Sequence, residues 1–247
     1  MVQINAQGMT YRALNEELRR QVLGGATEIE LANVNGHRYV GDGLSGDVRI
    51  GVTGVPGNDL AAFMAGPTIE VRNNAQDGVA NTMQAGTVII HGDAGDVLGY
   101  GMRGGTVFVR GNVGYRVGIH MKAYRGVSPT VVVGGTAGDF FGEYLAGGTL
   151  LLLGLERQGR PLVGSYCGTG MHGGVIYLRG EYDPHNIALE QVAIHPLDDG
   201  DRQTVGKLVG QFAELFGLKA EPIMEGSFAK LLPRSRRPYG GGYVSQP

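Results

Sequence analysis

The sequence predicts an all-β fold: a right-handed parallel β-helix with coils of about 19 residues, capped by a helix at each end. Three observations carry the prediction. Thr68, Thr87 and Thr106 stand nineteen residues apart, as do Thr130 and Thr149, and Arg49 precedes Thr68 by the same interval. A fixed period in this range marks a solenoid. Second, strands aligned on these starts are apolar at their second and fourth positions. The second column runs Ile50, Ile69, Val88, Val107, Val131, Leu150, Ile176, and the fourth Val52, Val71, Ile90, Val109, Val133, Leu152, Leu178. Alternation of period two buries one face of a strand. Third, nineteen residues are too few for a strand, a crossover helix and another strand, so each coil contributes one strand and the two columns stack inside.

Taken in order, each element has a local reason. Residues 1–26 form an N-terminal capping segment, with a helix that starts at a Thr10 cap, presents Leu14, Leu18 and Val22, and stops at Gly24-Gly25. Residues 27–181 form the β-helix. Insertions of five and seven residues separate Thr106 from Thr130 and Thr149 from Val175; Cys167 is assigned to the second. After the fifth strand position comes Gly54, Asn73, Gly92, Gly111, Gly135, Gly154 or Gly180, where a sharp corner calls for positive φ. Met64, Met83, Met102 and Met171 recur four residues before strand starts, with Met121 in phase, and read as core filler. Residues 182–220 form a second capping segment, whose helix carries Val205, Leu208, Val209, Phe212, Leu215 and Phe216 up to Gly217. Residues 221–247 lose all periodicity and read as an extended tail that docks on partners through arginines and aromatics.

Composition narrows the functional classes. A net charge of −2 argues against nucleic acid as the main partner. One cysteine excludes an intrachain disulfide framework and fits a reducing compartment. No stretch reaches membrane-span length and no signal peptide is visible, so the expected location is cytoplasmic.

The chemistry-bearing residues do not assemble into a site. Gly41-Asp42-Gly43-Leu44-Ser45-Gly46 matches G-x-G-x-x-G, but a repeat strand follows where a dinucleotide fold needs a helix. The six histidines (His37, His91, His120, His172, His185 and His195) include no metal-ligand pair at helical spacing. His91 falls in an outward column beside Arg72 and Arg110, which reads as a solvated face. Cys167 would need a base to act as a nucleophile, and His172 is near in sequence; the expectation is a packed free thiol. The expected catalytic, cofactor-binding and metal residues are none.

With the repeats laid out, three stretches carry a resemblance: Tyr39–Gly46, Val131–Gly148 and Gly164–Gly174. The chain resembles the GXGXG family, and in particular the C-terminal β-helix of the glutamate synthase large subunit as a free-standing polypeptide. The tail at Arg237-Pro238-Tyr239-Gly240 is similar to that of stand-alone members. The resemblance implies a non-catalytic structural part that braces a class II glutaminase subunit and an FMN/Fe-S glutamate synthase subunit and helps wall the ammonia route. FMN and iron–sulfur clusters would then sit on those partners, not on this chain. Gly95–Gly105 fits a second member of the superfamily equally, the glycine-rich β-helical subunit of formylmethanofuran dehydrogenase, and related subunits occur in N-methylglutamate synthase. A left-handed β-helix acyltransferase needs six-residue periodicity, which nineteen does not supply. A scaffold with no enzyme partner is a further alternative.

Overall fold

A computed structural model describes residues 1–235. Nine parallel strands stack in chain order: β1 (Val2–Asn5), β2 (Glu28–Asn35), β3 (Arg49–Val55), β4 (Ala65–Val71), β5 (Ala85–Ile90), β6 (Thr106–Val109), β7 (Thr130–Val133), β8 (Ala146–Leu152) and β9 (Gly173–Arg179). The register follows the repeat. Thr68 pairs with Thr87, Thr87 with Thr106, Thr106 with Thr130 and Thr130 with Thr149. The fold is a parallel β-solenoid. Its sheet starts two coils earlier than the threonine series, because β1 and β2 also join it.

The two apolar columns face the interior. Ile50, Ile69, Val88, Val107, Val131, Leu150 and Ile176 are at most 1% exposed. A second row, Ala75, Ala94, Val113, Ala137 and Val163, is linked by single parallel bridges along another side of the coil. The recurrent methionines are buried in the same core cluster, as filler. Stacking identical aliphatics rung upon rung removes their surfaces from water at about 25 cal/mol per Å².

Side chains tie one coil to the next. The Oδ1 atoms of Asn74, Asp93 and Asn112 accept from the backbone N–H groups of Asp93, Asn112 and Thr136, at 2.6–3.0 Å. Asp77, Asp96 and Asp139 do the same for Asp96, Tyr115 and Ser165. This explains the glycines differently from the sequence expectation. Positive φ holds at Gly54, Gly154 and Gly180 only; Gly92, Gly111 and Gly135 lie outside that region. There the reason is close approach: a Cβ on Gly111 would stand 2.1 Å from Asp93 Oδ1. The acidic or amide side chain of one coil occupies the space that a side chain in the next would need.

Helices stand near both termini. α1 (Tyr11–Leu23) is capped by Thr10 Oγ1, which accepts from Ala13 N–H, and buries Leu14 and Leu18 in the core cluster of the first coils. Asn15 and Arg19 donate to the carbonyls of Arg38 and Asp42 and fix it there. α2 (Asp199–Phe216) carries a capping box between Asp198 and Asp201 and ends at Gly217 with φ 64°. It lies along the flank of the sheet. Val205, Leu208, Val209 and Phe212 pack on Phe108, Val132, Leu151 and Tyr177, the outward third column of the later strands.

The last rung is covered by strands instead. β11 (Phe228–Pro233) pairs antiparallel with β9, and β10 (Val192–His195) pairs antiparallel with β11. An exposed sheet edge templates pairing with other chains, and this addition covers it. Hence the expected departure of an extended tail at 221 is corrected: α3 (Ala220–Met224) and β11 belong to the fold, with Ile223 and Leu231 buried. Burial of these apolar side chains against β9 and α2 is the reason. The rest of that tail, including Arg237–Gly240, lies outside the described residues.

Candidate functional site

One corner of every coil has an unusual backbone. Three alternate residues are left-handed, as in Tyr39/Gly41/Gly43, Asp59/Ala61/Phe63, Arg116/Gly118/His120, Phe140/Gly142/Tyr144 and Tyr166/Gly168/Gly170. The middle member is always glycine or alanine for a steric reason. A Cβ on Gly118 would stand 2.7 Å from Leu150 Cδ1, and one on Gly142 2.5 Å from Ile176 Cδ1. The small residue therefore admits the aliphatic of the second column. Non-glycine residues adopt this conformation only where the surroundings over-determine it. Gly41-Asp42-Gly43 is one of these corners. A Cβ on Gly41 would stand 2.5 Å from Ile69 Cδ1, so this glycine serves core packing and not a phosphate.

Between the first two left-handed positions, one side chain points inward. Cys167 occupies this inward position, equivalent to Val40, Leu60, Val79, Leu98, Val117 and Phe141, all buried. Its thiol is buried completely and pushed up to about 12 by desolvation. That state is a neutral packed thiol, not a nucleophile. The seven-residue insertion lies elsewhere, between Leu152 and Val163, because Ala137 bridges Val163 and Leu152 pairs with Leu178. Assignment of Cys167 to the insertion is thus corrected. His172 turns aside, its Nδ1 donating to Gly170 O at 3.0 Å.

Outward, the corner carries rings. Tyr39, Phe63, Tyr100 and Tyr166 are 39–59% exposed. His120 stacks on Tyr144 with centroids 5.2 Å apart and planes 7° apart, and meets Tyr100 edge-on at 6.0 Å. Phe140 stacks on Tyr166 at 5.2 Å, and the Arg116 guanidinium lies 4.4 Å from the Phe140 centroid. Arg116 also pairs with the buried carboxylate of Glu143. Sequence reasoning missed this ridge. Its signal was the aromatic or charged residue flanking each small corner residue.

The other histidines are engaged by their surroundings. His37 accepts from Asn35 N–H through Nδ1 and donates to Met9 O through Nε2. His91 is not simply solvated: it meets Glu70 Oε1 at 2.8 Å and packs edge-on to Phe216 of α2 at 5.2 Å. His185 and His195 lie apart, in a short turn of helix and in β10. Among the described residues, no group of three or more His, Cys, Asp or Glu is placed to hold a metal ion. An iron–sulfur cluster does not fit this chain's single cysteine, which is sealed among aliphatics. No helix of the described residues is long and apolar enough to cross a membrane.

The recurring small-residue corner agrees with the family comparison. The model of the GXGXG motif matches residues 25–234. This chain belongs to the GXGXG family. An uncharacterized protein of Methanocaldococcus jannaschii is 42% identical over 253 residues, covering 98% of this chain and 96% of that one. Among solved structures, a chain of the formyltransferase/hydrolase complex of Methylorubrum extorquens, determined with methylofuran, shares the fold. It matches with a TM-score of 0.62 and 21% identity over 92% of this chain and 89% of that one. The GXGXG pattern is thus the backbone code of the left-handed corner.

Proposed function

We propose that this GXGXG protein is a rigid, non-catalytic subunit of a hetero-oligomeric complex of the glutamate synthase type. In that role it braces the class II glutaminase and FMN/Fe-S synthase subunits and contributes to the wall of an ammonia route. One observation carries the reading: the interior of every coil is filled by its own stacked aliphatics, and the reactive side chains are either buried within it or engaged by neighbours. What remains accessible is a ridge of rings and charges, the residue types that anchor protein interfaces. A second reading, a subunit of a formylmethanofuran dehydrogenase-type complex, is favoured by the fold shared with the formyltransferase/hydrolase complex.

Native mass spectrometry of the complex retained by a tag on this chain distinguishes them. A glutaminase and a flavin/iron–sulfur subunit support the first reading, and pterin-dependent or formyltransferase subunits the second. The isolated chain is expected to show no glutaminase or NAD(P)H oxidation; turnover by homogeneous protein overturns the non-catalytic reading.

A further inference from the structure

The five-residue insertion has become a finger. Residues 122–128 leave the coil after Met121 and are all exposed. Tyr124 and Val127 form an antiparallel bridge, each N–H donating to the other's carbonyl at 2.9 and 3.0 Å. The two residues between them, Arg125 and Gly126, have φ of 51° and 80°, the two-residue turn that best matches strand twist. The finger is seated as well as turned. A Cβ on Gly104 would stand 2.6 Å from Val127 Cγ1, and one on Gly147 2.6 Å from Ala123 N, so glycines on the flanking coils make room for it.

Its charge is one-sided. Residues 97–138 contain five cations (Arg103, Arg110, Arg116, Lys122 and Arg125) and no acidic residue, in a chain of net charge −2. Arg110 and Arg116 are paired with Glu156 and Glu143. Arg103, Lys122 and Arg125 have no carboxylate partner among the described residues. Arg103 reaches from beside the finger to His120 O at 3.2 Å, which joins the finger to the Tyr100–His120–Tyr144 rings. At the tip, Tyr124 and Val127 are 50% and 49% exposed.

We propose that this finger docks into an acidic segment of a neighbouring subunit, with Tyr124 and Val127 as the apolar anchor and Lys122, Arg125 and Arg103 facing its carboxylates. Complementary charge steers such an encounter, and a preformed turn lowers the ordering cost of binding. Single-stranded nucleic acid needs free ring faces on which bases stack. Here His120 and Tyr144 cover each other, and the Arg125 guanidinium lies 5.0 Å from the Tyr124 centroid. Protein is therefore the favoured occupant.

The inference rests on the reading of this chain as one part of a larger complex, and the test separates the two. The tagged full chain is isolated with its stoichiometric subunits, and their retention is titrated with salt. Retention is expected to fall with rising salt and to weaken roughly tenfold in the Lys122→Glu/Arg125→Glu double variant. The distant Lys207→Glu/Lys219→Glu variant should match wild type. A photo-crosslinking side chain at position 127 should attach to an acid-rich stretch of one subunit. Equal retention by the finger variant, or a crosslink to a neutral or basic stretch or to nucleic acid, overturns the finger while the subunit reading stands. Wild-type protein recovered alone overturns both.

Discussion

The outer face of the sheet is two surfaces in one. Over β2–β4 its third column is Glu30, Gly51 and Glu70, and the ions there face solvent: Arg72 donates to Glu30 at 2.7 and 3.0 Å, across Gly51 and Thr53. Over β6–β9 the same column is Phe108, Val132, Leu151 and Tyr177, at most 4% exposed beneath α2. The inner columns do not change between the two regions. In a solenoid the repeat dictates the interior, whereas each outward position answers to whatever covers it.

The largest test of this contrast is Phe212→Ala. Phe212 is fully buried between α2 and the sheet, so truncation should cost about 3–5 kcal/mol in urea unfolding. A loss below about 1 kcal/mol would mean that α2 does not stabilise the covered half. Next come paired glycine variants. A Cβ on Gly134 would meet the Arg110 carbonyl oxygen at 2.3 Å and Phe212 Cζ at 2.6 Å, neither free to move. A Cβ on Gly51 meets only the Glu30 carboxylate, which can swing away. Gly134→Ala should therefore destabilise by about 1–3 kcal/mol and Gly51→Ala by much less; equal costs would erase the distinction.

A third test is pH. Burial pushes the Asp201 carboxyl up, but Lys230 Nζ at 2.5 Å, Tyr177 OH at 2.6 Å and the Asp198 N–H outweigh it and bring the pKa to about 2. With the folded value below the unfolded 3.8, the stabilisation is present above pH 3.8 and is lost as pH falls towards 2. About 1–2 kcal/mol should disappear over that window, and Asp201→Asn should flatten it in thermal melts. The smallest effect belongs to the exposed half. A Glu30–Arg72 double-mutant cycle should give at most about 1 kcal/mol, shrinking with salt; a salt-independent coupling of several kcal/mol would contradict a solvated pair.

Much of this was legible in the residues. Strand starts, inward columns and both long helices follow from nineteen- and 3.6-residue periodicities that local sequence carries. The seat of α2 was not, because Val205, Val209 and Phe212 declare an apolar stripe without saying which surface meets it. The column change from Glu70 to Phe108 held that information, and it becomes readable only beside the helix. β11 escaped for a related reason: Phe228–Pro233 is too short to show a period, and its partners in β9 and β10 are set by distant pairing. The corner was half visible. Small residues such as Gly118 and Gly142 announce it, whereas left-handed Arg116, Phe140 and Tyr144 are imposed by the ladders around them.

The antiparallel stitch at β11 has a consequence for how the protein is made. On a ribosome adding about 5–20 residues per second, β9 is complete several seconds before its partner has been synthesised. Throughout that interval the growing end of the stack offers unpaired amide and carbonyl groups to any passing strand. Nascent chains arrested just before Phe228 should associate with one another, and those arrested well beyond Pro233 should not, a difference measurable by sedimentation of stalled translation products.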